Sequence, residues 1–260
     1  MPSALDSFRL DGRLALVTGA SRGIGQAIAT ALAEAGAELV LTSRKVEAAQ
    51  AVASALEQAG HRATAIACHN GRESDIDALF GRIRSEWGRL DVLVNNAATN
   101  PLFGPMSMAD QGAITKTFEV NVNGMLFCTQ RAAAIMADQA ERPGGRGSIV
   151  NIASVAGLEP MPGIGVYSAT KAAVINLTRG FANELAAAGI RVNAIAPGLV
   201  ETKFAAALIE TPEIAEQALR RIPLGRFGQP HAIGGAALFL ASAASSYVTG
   251  SVLVVSGGYL

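Results

Sequence analysis

The chain has 260 residues, and its 21 Lys and Arg balance its 21 Asp and Glu, so the formal net charge is zero. Half of the residues are hydrophobic and only 16% are charged. A disordered chain would combine low hydrophobicity with high net charge, and a protein that binds nucleic acid through phosphates would carry a basic excess, so both classes are excluded. The low share of charged residues also predicts much surface that is buried or covered by a partner.

The elements predicted in chain order describe one α/β domain over residues 1–260. Short apolar runs alternate with longer segments of helical periodicity, which is typical of parallel strands joined by crossover helices. Most of these runs lack alternation, as expected where helices cover both faces of a sheet. The strands are predicted at 14–18, 38–42, 63–67, 91–94, 148–152, 192–196 and 251–255. The helices are predicted at about 23–35, 45–59, 73–87, 111–138, 166–188 and 232–244.

Glycines and irregular segments divide these elements. Gly36 and Gly189 follow two predicted helices, where a left-handed cap is expected. Two segments, 138–147 and 198–226, carry Gly and Pro and predict long loops. The second loop follows the sixth strand, on the side where α/β proteins bind ligands, and we expect it to be the substrate-binding loop.

Cysteine usage and the two ends of the sequence indicate the compartment. Cys68 and Cys128 have neither CxxC spacing nor the number needed for a disulfide framework, which favours free thiols and no metal site. The first 13 residues lack the apolar run of a signal peptide, so we expect a cytoplasmic protein. The uncharged run after Arg226 contains only a short apolar stretch, 232–244, and predicts a core helix, a buried strand and a subunit interface rather than a membrane span.

The sequence TGASRGIG, residues 18–25, directly follows the first predicted strand and leads into a helix. Its glycines, Gly19, Gly23 and Gly25, allow a tight turn and a close approach of pyrophosphate to the backbone. The helix that follows offers free N–H groups and the positive end of its dipole. An ordinary glycine-rich βα turn is the alternative explanation.

Tyr167 and Lys171 stand four residues apart in a segment of helical pattern, so their side chains share one face. The pKa of a free tyrosine, about 10, is too high for efficient proton exchange at neutral pH. A neighbouring ammonium lowers that pKa, so the pair is a candidate general acid and base. A surface tyrosine beside a solvated lysine is the alternative.

Five motifs together resemble the short-chain dehydrogenase/reductase family. They are TGASRGIG, NNA at 95–97, the serine of NIAS at 151–154, YSATK at 167–171 and PG at 197–198. The resemblance covers residues 10–258. It implies a doubly wound Rossmann fold with a seven-stranded parallel sheet, a nicotinamide dinucleotide, and hydride transfer between that cofactor and a ketone or secondary alcohol. It also implies a homotetramer.

The resemblance implies a role for each catalytic candidate. Tyr167 would be the general acid in reduction and the general base in oxidation, and Lys171 would also hold ribose hydroxyls. Ser154 would bind the substrate oxygen, although a helix N-cap is the commonest role of such a serine. Asn121 would support a water chain for proton relay, with Asn123 as the alternative.

Charge at the end of the second strand indicates the cofactor. NAD enzymes place an acid there, whereas the 2′-phosphate of NADP needs cations. This chain has Ser43 and Arg44 at that position and Arg22 in the glycine loop, which favours NADP(H). Arg44 at the start of a solvated helix is the alternative. With the resemblance, the cofactor-binding residues are expected to be Gly19, Ser21, Arg22, Gly23, Ile24, Gly25, Ser43, Arg44, His69, Asn70, Asn96, Ala97, Tyr167, Lys171, Pro197, Gly198, Val200 and Thr202.

His69 occupies the adenine-side position where the family usually has Asp. Together with NAATNPLFGP at 96–105, it makes the chain similar to the NADP(H)-dependent branch that includes dehydrogenase/reductase member 4-type carbonyl reductases and bacterial relatives. Ala98 replaces a family glycine beside the nicotinamide. His61 and His231 are expected to be structural.

The expected substrate pocket is lined by 99–103, Leu158, Met161 and 199–208, which are mostly apolar and favour a hydrophobic carbonyl. Two other functions remain open. A 3-oxoacyl thioester reductase would share the catalytic residues and would present a basic patch to its acyl carrier protein, for which the candidates are Arg131, Arg142 and Arg146. A non-catalytic NADP-binding sensor would have lost one of the catalytic residues, and all are present.

Overall fold

The structure is a computed structural model that describes residues 3–203 and 212–260, and the side chains of these residues except 212–214. The described residues form one parallel sheet of seven strands, in the order β3-β2-β1-β4-β5-β6-β7. The strands are β1 (Leu14–Val17), β2 (Glu38–Ser43), β3 (Ala63–Ala67), β4 (Val92–Asn95), β5 (Gly147–Ile152), β6 (Ile190–Pro197) and β7 (Val252–Val255). The predicted strands are confirmed to within two residues, and so is the doubly wound Rossmann fold.

Helices cover both faces of the sheet. They are α1 (Gly23–Glu34), α2 (Val46–Gln58), α3 (Glu73–Glu86), α4 (Gln111–Phe118), α5 (Gly124–Asp138), α6 (Gly165–Leu185), α7 (Pro212–Arg220) and α8 (Pro230–Ala241). The prediction of one helix over 111–138 was wrong, because a π-helical segment, Glu119–Asn123, separates α4 from α5. Hydrophobic periodicity does not reveal such an inserted turn, which is frequent at functional sites.

Two apolar layers form the core. One layer packs β1 and β2 against α1, α2 and α8, and the other packs the opposite face against α3, α5 and α6. Strands β1, β4, β5 and β6 are buried along their full length. Much of the hydrophobic surplus in the composition is therefore internal to the fold and requires no partner.

The predicted caps and loops are found where the sequence indicated them. Gly36 and Gly189 have φ values of +102° and +72°, in the region that glycine adopts at little cost. The segment 198–226 contains α7 and otherwise no regular helix or strand among its described residues. Strand β7 is an edge strand that is only half-buried within one chain, so the fold alone does not supply the burial predicted for it.

Asp91 stabilises the sheet at the amino ends of its strands. It precedes β4 and is buried, and it accepts hydrogen bonds from Arg13, Arg89 and the N–H of Leu14. Burial works to raise the pKa of this carboxyl, but the bonds from Arg89 and Leu14 outweigh it and hold the pKa below its ordinary value. The ionised carboxylate therefore ties β1 to β4 at their amino ends.

Candidate active site

The glycine loop after β1 and the segment after β4 meet at the carboxyl ends of these strands, where the strand order reverses. In doubly wound sheets this switch point is where ligands bind. Thr18 Oγ1 accepts hydrogen bonds from the N–H groups of Asn96 (3.0 Å) and Ala97 (3.1 Å). Asn96 Nδ2 donates to the carbonyl oxygens of Thr18 (2.9 Å) and Gly19 (3.0 Å). The two predicted motifs are thus joined into one rigid unit.

The glycine loop is too tightly packed to accept side chains. A Cβ on Gly25 would lie 2.4 Å from both Asn96 Nδ2 and the carbonyl oxygen of Gly19, whose own φ is +65°. Helix α1 begins at Gly23, and no side chain caps it and no acid stands in its first turn. Thr202 lies against this loop, since its Cγ2 is 3.2 Å from a Cβ built on Gly23. The loop therefore offers backbone N–H groups and a positive dipole end to an anion.

Ser154, Tyr167 and Lys171 come together at the carboxyl end of β5, on the same edge of the sheet as this loop. Tyr167 and Lys171 lie one turn apart on α6 and are both buried. Ser154 follows β5 and forms a hydrogen bond with the Tyr167 side chain. It also accepts the N–H of Ala156 (3.1 Å) and so caps a short 3-10 turn. The capping role considered as an alternative for Ser154 is therefore present together with the contact to Tyr167.

Gly157 permits this convergence. A Cβ on Gly157 would lie 2.6 Å from the carbonyl carbon of Lys171, so only glycine lets the turn after Ser154 approach α6 this closely. Residue spacing in the sequence does not predict this close approach or the contact between Ser154 and Tyr167 that follows from it.

Burial controls the ionisation of both residues on α6. It raises the pKa of Tyr167 to about 12, with the hydrogen bond from Ser154 acting in the opposite direction. It lowers the pKa of Lys171 to about 8. The Lys171 ammonium lies 5.5 Å from the centroid of the Tyr167 ring and donates to the carbonyl oxygen of Ile152 (2.6 Å). In the protein alone, burial holds the pKa of the phenol above its ordinary value, so the lowering expected from Lys171 is not found.

Asn121 lies in the π-helical segment and is buried, whereas Asn123 is exposed. Its amide accepts the N–H of Thr99 (2.8 Å) and donates to the Thr99 carbonyl (2.9 Å) and to Thr170 Oγ1 (3.1 Å). Thr170 in turn donates to the carbonyl oxygen of Tyr167 (2.7 Å). Asn121 thus connects the loop after β4 to the helix of the phenol. Thr99 was expected only as a residue of the substrate pocket, and Thr170, although it stands within YSATK, was not expected as a site residue.

Two arginines stand at the carboxyl ends of neighbouring strands, Arg44 directly after β2 and Arg22 in the loop after β1. Arg44 and Arg22 are exposed, and Ser43, at the end of β2, pairs with Ala67 of β3 and donates to the carbonyl oxygen of Lys45. The end of β2 carries no carboxylate. This arrangement fits an anionic phosphate.

The adenine-side candidates lie next to this group. His69 Nδ1 accepts the N–H of Gly71 (3.1 Å), and its Nε2 lies 2.9 Å from Lys116 Nζ. Burial, followed by the charges of Lys116, Arg72 and Arg44, lowers the pKa of His69. Asn70 is buried against α5, where a Cβ on Gly124 would lie 1.9 Å from its carbonyl oxygen. Among the remaining candidates Ser21 and Ile24 are half-buried in the glycine loop, Pro197 ends β6, and Val200 forms a β-bridge with Gly228.

The rim of the expected substrate pocket is apolar. Phe103 is 60% exposed and Leu158 is 42% exposed. A backbone hydrogen bond from the N–H of Gly104 to the carbonyl oxygen of Gly163 (2.8 Å) joins the loop of Phe103 to the loop before α6. Met161 and Leu199 pack on a small apolar cluster near Ser154. The part of the predicted lining from 204 to 208, and therefore Leu208, lies outside the described residues.

The basic patch expected for a carrier-protein substrate does not form. Arg131 makes ion pairs with Glu73 and Asp77 of α3. Arg142 and Arg146 lie before β5, at the amino end of the sheet, and donate to backbone carbonyls. Arg131 is neutralised by its ion pairs, whereas Arg142 and Arg146 lie at the end of the sheet opposite the site. The three guanidinium groups therefore do not act together near the site.

Two features are absent from the described residues, 3–203 and 212–260. No helix there is long and apolar enough to cross a membrane. No three His, Cys, Asp or Glu side chains there lie close enough together to hold a metal ion.

A family model described as Enoyl-(Acyl carrier protein) reductase matches residues 19–260. Dehydrogenase/reductase SDR family member 4 of Oryctolagus cuniculus is 38% identical over 96% of this chain and 94% of its own length. This chain belongs to the short-chain dehydrogenase/reductase family. It is therefore an oxidoreductase.

Other relatives in the family have been named for particular substrates. Gluconate 5-dehydrogenase of Gluconobacter oxydans is 40% identical over 97% of this chain and 96% of its own length. The crystal structure of a gluconate 5-dehydrogenase from Burkholderia cenocepacia J2315, in complex with NADP and tartrate, superposes with a TM-score of 0.93. It has 38% identity over 99% of this chain and 98% of that one.

Proposed function

We propose that this member of the family interconverts a ketone and a secondary alcohol with NADP(H) as the cofactor. The observation that carries the proposal is the convergence of Ser154, Tyr167 and Lys171 at the edge of the sheet that also carries an uncapped helix N-terminus. The non-catalytic sensor is not favoured, because all three side chains are retained and in contact or close proximity.

The glycine loop and the basic side chains are suited to hold the cofactor. Pyrophosphate would bind the first turn of α1, and Arg22, Arg44 and Ser43 would bind a 2′-phosphate. The nicotinamide supplies the hydride donor in reduction and the acceptor in oxidation. The crystal structure that holds NADP in a relative with 38% identity supports the choice.

The chain's own residues handle the proton and the substrate oxygen. The Tyr167 hydroxyl donates its proton to the substrate oxygen during reduction and recovers it during oxidation. The Ser154 hydroxyl donates a second hydrogen bond to the same oxygen and so stabilises the negative charge that develops there. The pKa of Tyr167, about 12 by burial, keeps the phenol protonated as an acid at neutral pH. The positive charge of Lys171, and that of the oxidised cofactor when bound, favour the phenolate.

Asn121 is proposed to support proton relay from the site. Its amide holds the loop of Thr99 and the helix of Tyr167 in one arrangement, which places Asn121 beside the proposed proton donor. The exposed Asn123 lacks these contacts among the described residues, which favours Asn121 for the role.

The substrate is proposed to be a hydrophobic ketone or alcohol, because Phe103, Leu158 and Met161 form an apolar rim. Two relatives carry names of hydroxy acids, gluconate and cis-4-hydroxycyclohexanecarboxylate, so both acids belong in the test panel. A marked preference for gluconate over apolar ketones would contradict the proposed substrate class. Turnover of an acyl-carrier-linked 3-oxo thioester in preference to free ketones would favour the thioester reductase.

A Tyr167→Phe variant tests the catalytic assignment. Phe keeps the ring and its packing but removes the proton donor, so kcat should fall by about 10²- to 10⁴-fold. The dissociation constant of NADPH, measured by fluorescence titration, should stay within about twofold. Tyr247→Phe, at a fully exposed tyrosine, is the matched control. Undiminished turnover of Tyr167→Phe would refute the assigned role.

An Arg44→Asp variant tests the cofactor choice. The substitution replaces a phosphate ligand by the acid found in NAD enzymes, and one charged hydrogen bond is worth about 1.5–3 kcal/mol. We expect the affinity for NADPH to fall at least tenfold while that for NADH rises or holds. Arg179→Asp, at an exposed position on α6, serves as the control. An unchanged ratio of the two affinities would contradict the NADP(H) assignment.

The oligomer and the compartment complete the proposal. Val254 on the edge strand β7 is 37% exposed, and Tyr247 is fully exposed. This exposed apolar and aromatic surface supports a homotetramer in which the surface around β7 packs against another copy of the chain. A compact monomer in sedimentation would contradict it. Cys68 and Cys128 are free and buried, which agrees with a reducing, cytoplasmic location.

A further inference from the structure

The segment after β7, residues 256–259, packs against the beginning of the loop 198–226. The N–H of Gly198 donates to the carbonyl oxygen of Val255 (3.0 Å). A Cβ on Gly198 would lie 2.8 Å from the Cα of Ser256. The PG motif at the end of β6 is thus in direct backbone contact with the end of β7 and with Ser256.

The same segment also holds the end of that loop. The N–H of Leu224 donates to the carbonyl oxygen of Gly257 (3.1 Å). Gly257 and Gly258 have φ values of +67° and +89°, and a Cβ on either would lie 2.9 Å from Ile222 or Pro223 respectively. Both the backbone conformation and the close approach require glycine at these two positions. The segment 256–259 therefore connects the two ends of the loop.

Tyr259 anchors the segment beside the catalytic serine. Its side chain is buried in an apolar cluster with Val155, which directly follows Ser154, and with residues at the end of α7. The guanidinium of Arg221 lies 4.4 Å from the centroid of the Tyr259 ring. Arg221 also forms an ion pair with Glu159 (2.9 Å), in the loop after Ser154.

We propose that residues 256–259, with the contact of Tyr259, Arg221 and Glu159, form a clamp that positions the substrate-binding loop against the loop of Ser154. These are positioning residues, which act through the apolar wall of Met161, Leu199 and Ile222 that packs with Tyr259. This proposal rests on the proposed function, because the substrate that would contact the wall is the one proposed there. The clamp sets the affinity for substrate. Tyr167, the glycine loop and the end of β2 lie on other elements, and the substitutions below act at the Arg221 end of the loop rather than at its cofactor-side start, Gly198.

Substitutions in the clamp should therefore affect KM more than kcat. Tyr259→Leu removes the aromatic face, and Glu159→Gln removes the ion pair. Each interaction contributes up to about a fivefold change in an equilibrium constant. We expect Glu159→Gln to raise KM about three- to fivefold and Tyr259→Leu to raise it at least as much. The NADPH dissociation constant should stay within about twofold, and Tyr259→Phe should behave as the natural protein does.

The neighbouring ion pair of Arg220 with Glu216 (2.8 Å) provides a matched control, because it lies on α7 and makes no contact with Tyr259 among the described residues. Glu216→Gln should leave KM unchanged. A KM increase as large in Glu216→Gln as in Glu159→Gln would overturn the clamp, and so would unchanged KM values in both clamp variants.

Amide hydrogen exchange separates this proposal from the proposed function. Peptides that cover 212–226 should exchange faster in Tyr259→Leu and Glu159→Gln than in the natural protein and in Glu216→Gln. If the natural protein turns over no carbonyl with NADPH, the proposed function fails, and exchange still decides the clamp. Unchanged exchange in both clamp variants would overturn it.

Discussion

Replacing Lys171 by Met should make the protein more stable and inactive. The ammonium is buried, and burial lowers its pKa from 10.5 to about 8. At 1.36 kcal/mol for each pKa unit, this difference corresponds to roughly 3 kcal/mol of stability lost at neutral pH by keeping the charge inside. Met fills a similar volume, but it leaves the carbonyl oxygen of Ile152 without its donor, which costs about 1 kcal/mol. The net gain expected in the free energy of unfolding is about 2 kcal/mol.

The pH dependence of stability provides a sharper check on Lys171. Between pH 8 and 10.5 the unfolded lysine keeps its proton while the folded one loses it, so the unfolded state binds more protons and stability rises with pH in this window. Lys171→Met should lose this rise, and the two proteins should converge near its upper end. Urea unfolding at pH 7, 8.5 and 10 measures the difference. A variant that is less stable at pH 7, with the same pH dependence, would refute the reasoning.

Three further substitutions test other parts of the fold. Asp91→Asn should lower the free energy of unfolding by about 3 kcal/mol at pH 7, because it leaves Arg89 without its charge partner. Since the folded pKa of Asp91 is lowered, this contribution is present above its ordinary value of 3.8, and the difference between the two proteins should shrink as pH falls below it in urea titrations. Gly25→Ala should abolish NADPH binding in fluorescence titration, because its Cβ would lie 2.4 Å from Asn96 Nδ2; retained affinity would contradict the tight loop. Asn121→Ala should cost about 1–3 kcal/mol of stability by unpairing buried backbone groups, and unchanged urea unfolding would show that this amide does not hold the loop.

The position of Asn121 explains why helical periodicity was an incomplete guide here. Apolar residues recur at helical spacing through 111–138, and that spacing predicts a single helix. The π-helical segment adds a residue to one turn and directs Asn121 inward, where Thr99 and Thr170 bind it. Its partners come from other elements, so the local pattern contains no signal for them.

The ionisation of Tyr167 is another property that spacing alone did not determine. The interval of four residues correctly predicted that Tyr167 and Lys171 share a helix face. It could not predict that both side chains would be buried. Burial raises the pKa of the phenol and lowers that of the ammonium. Desolvation is a property of the packed surroundings and not of the pair.

The sequence by itself determined the parallel sheet, most of its helices and the motifs at the carboxyl ends of the strands, because apolar periodicity and glycine placement are local signals. It also indicated the cationic end of β2 through Ser43 and Arg44. Only the tertiary structure decided that Arg131 would be neutralised and that Gly157 would bring Ser154 to α6. It likewise decided that the segment after β7 would join both ends of the loop 198–226. These outcomes depend on contacts between residues far apart in the chain, which no local pattern encodes.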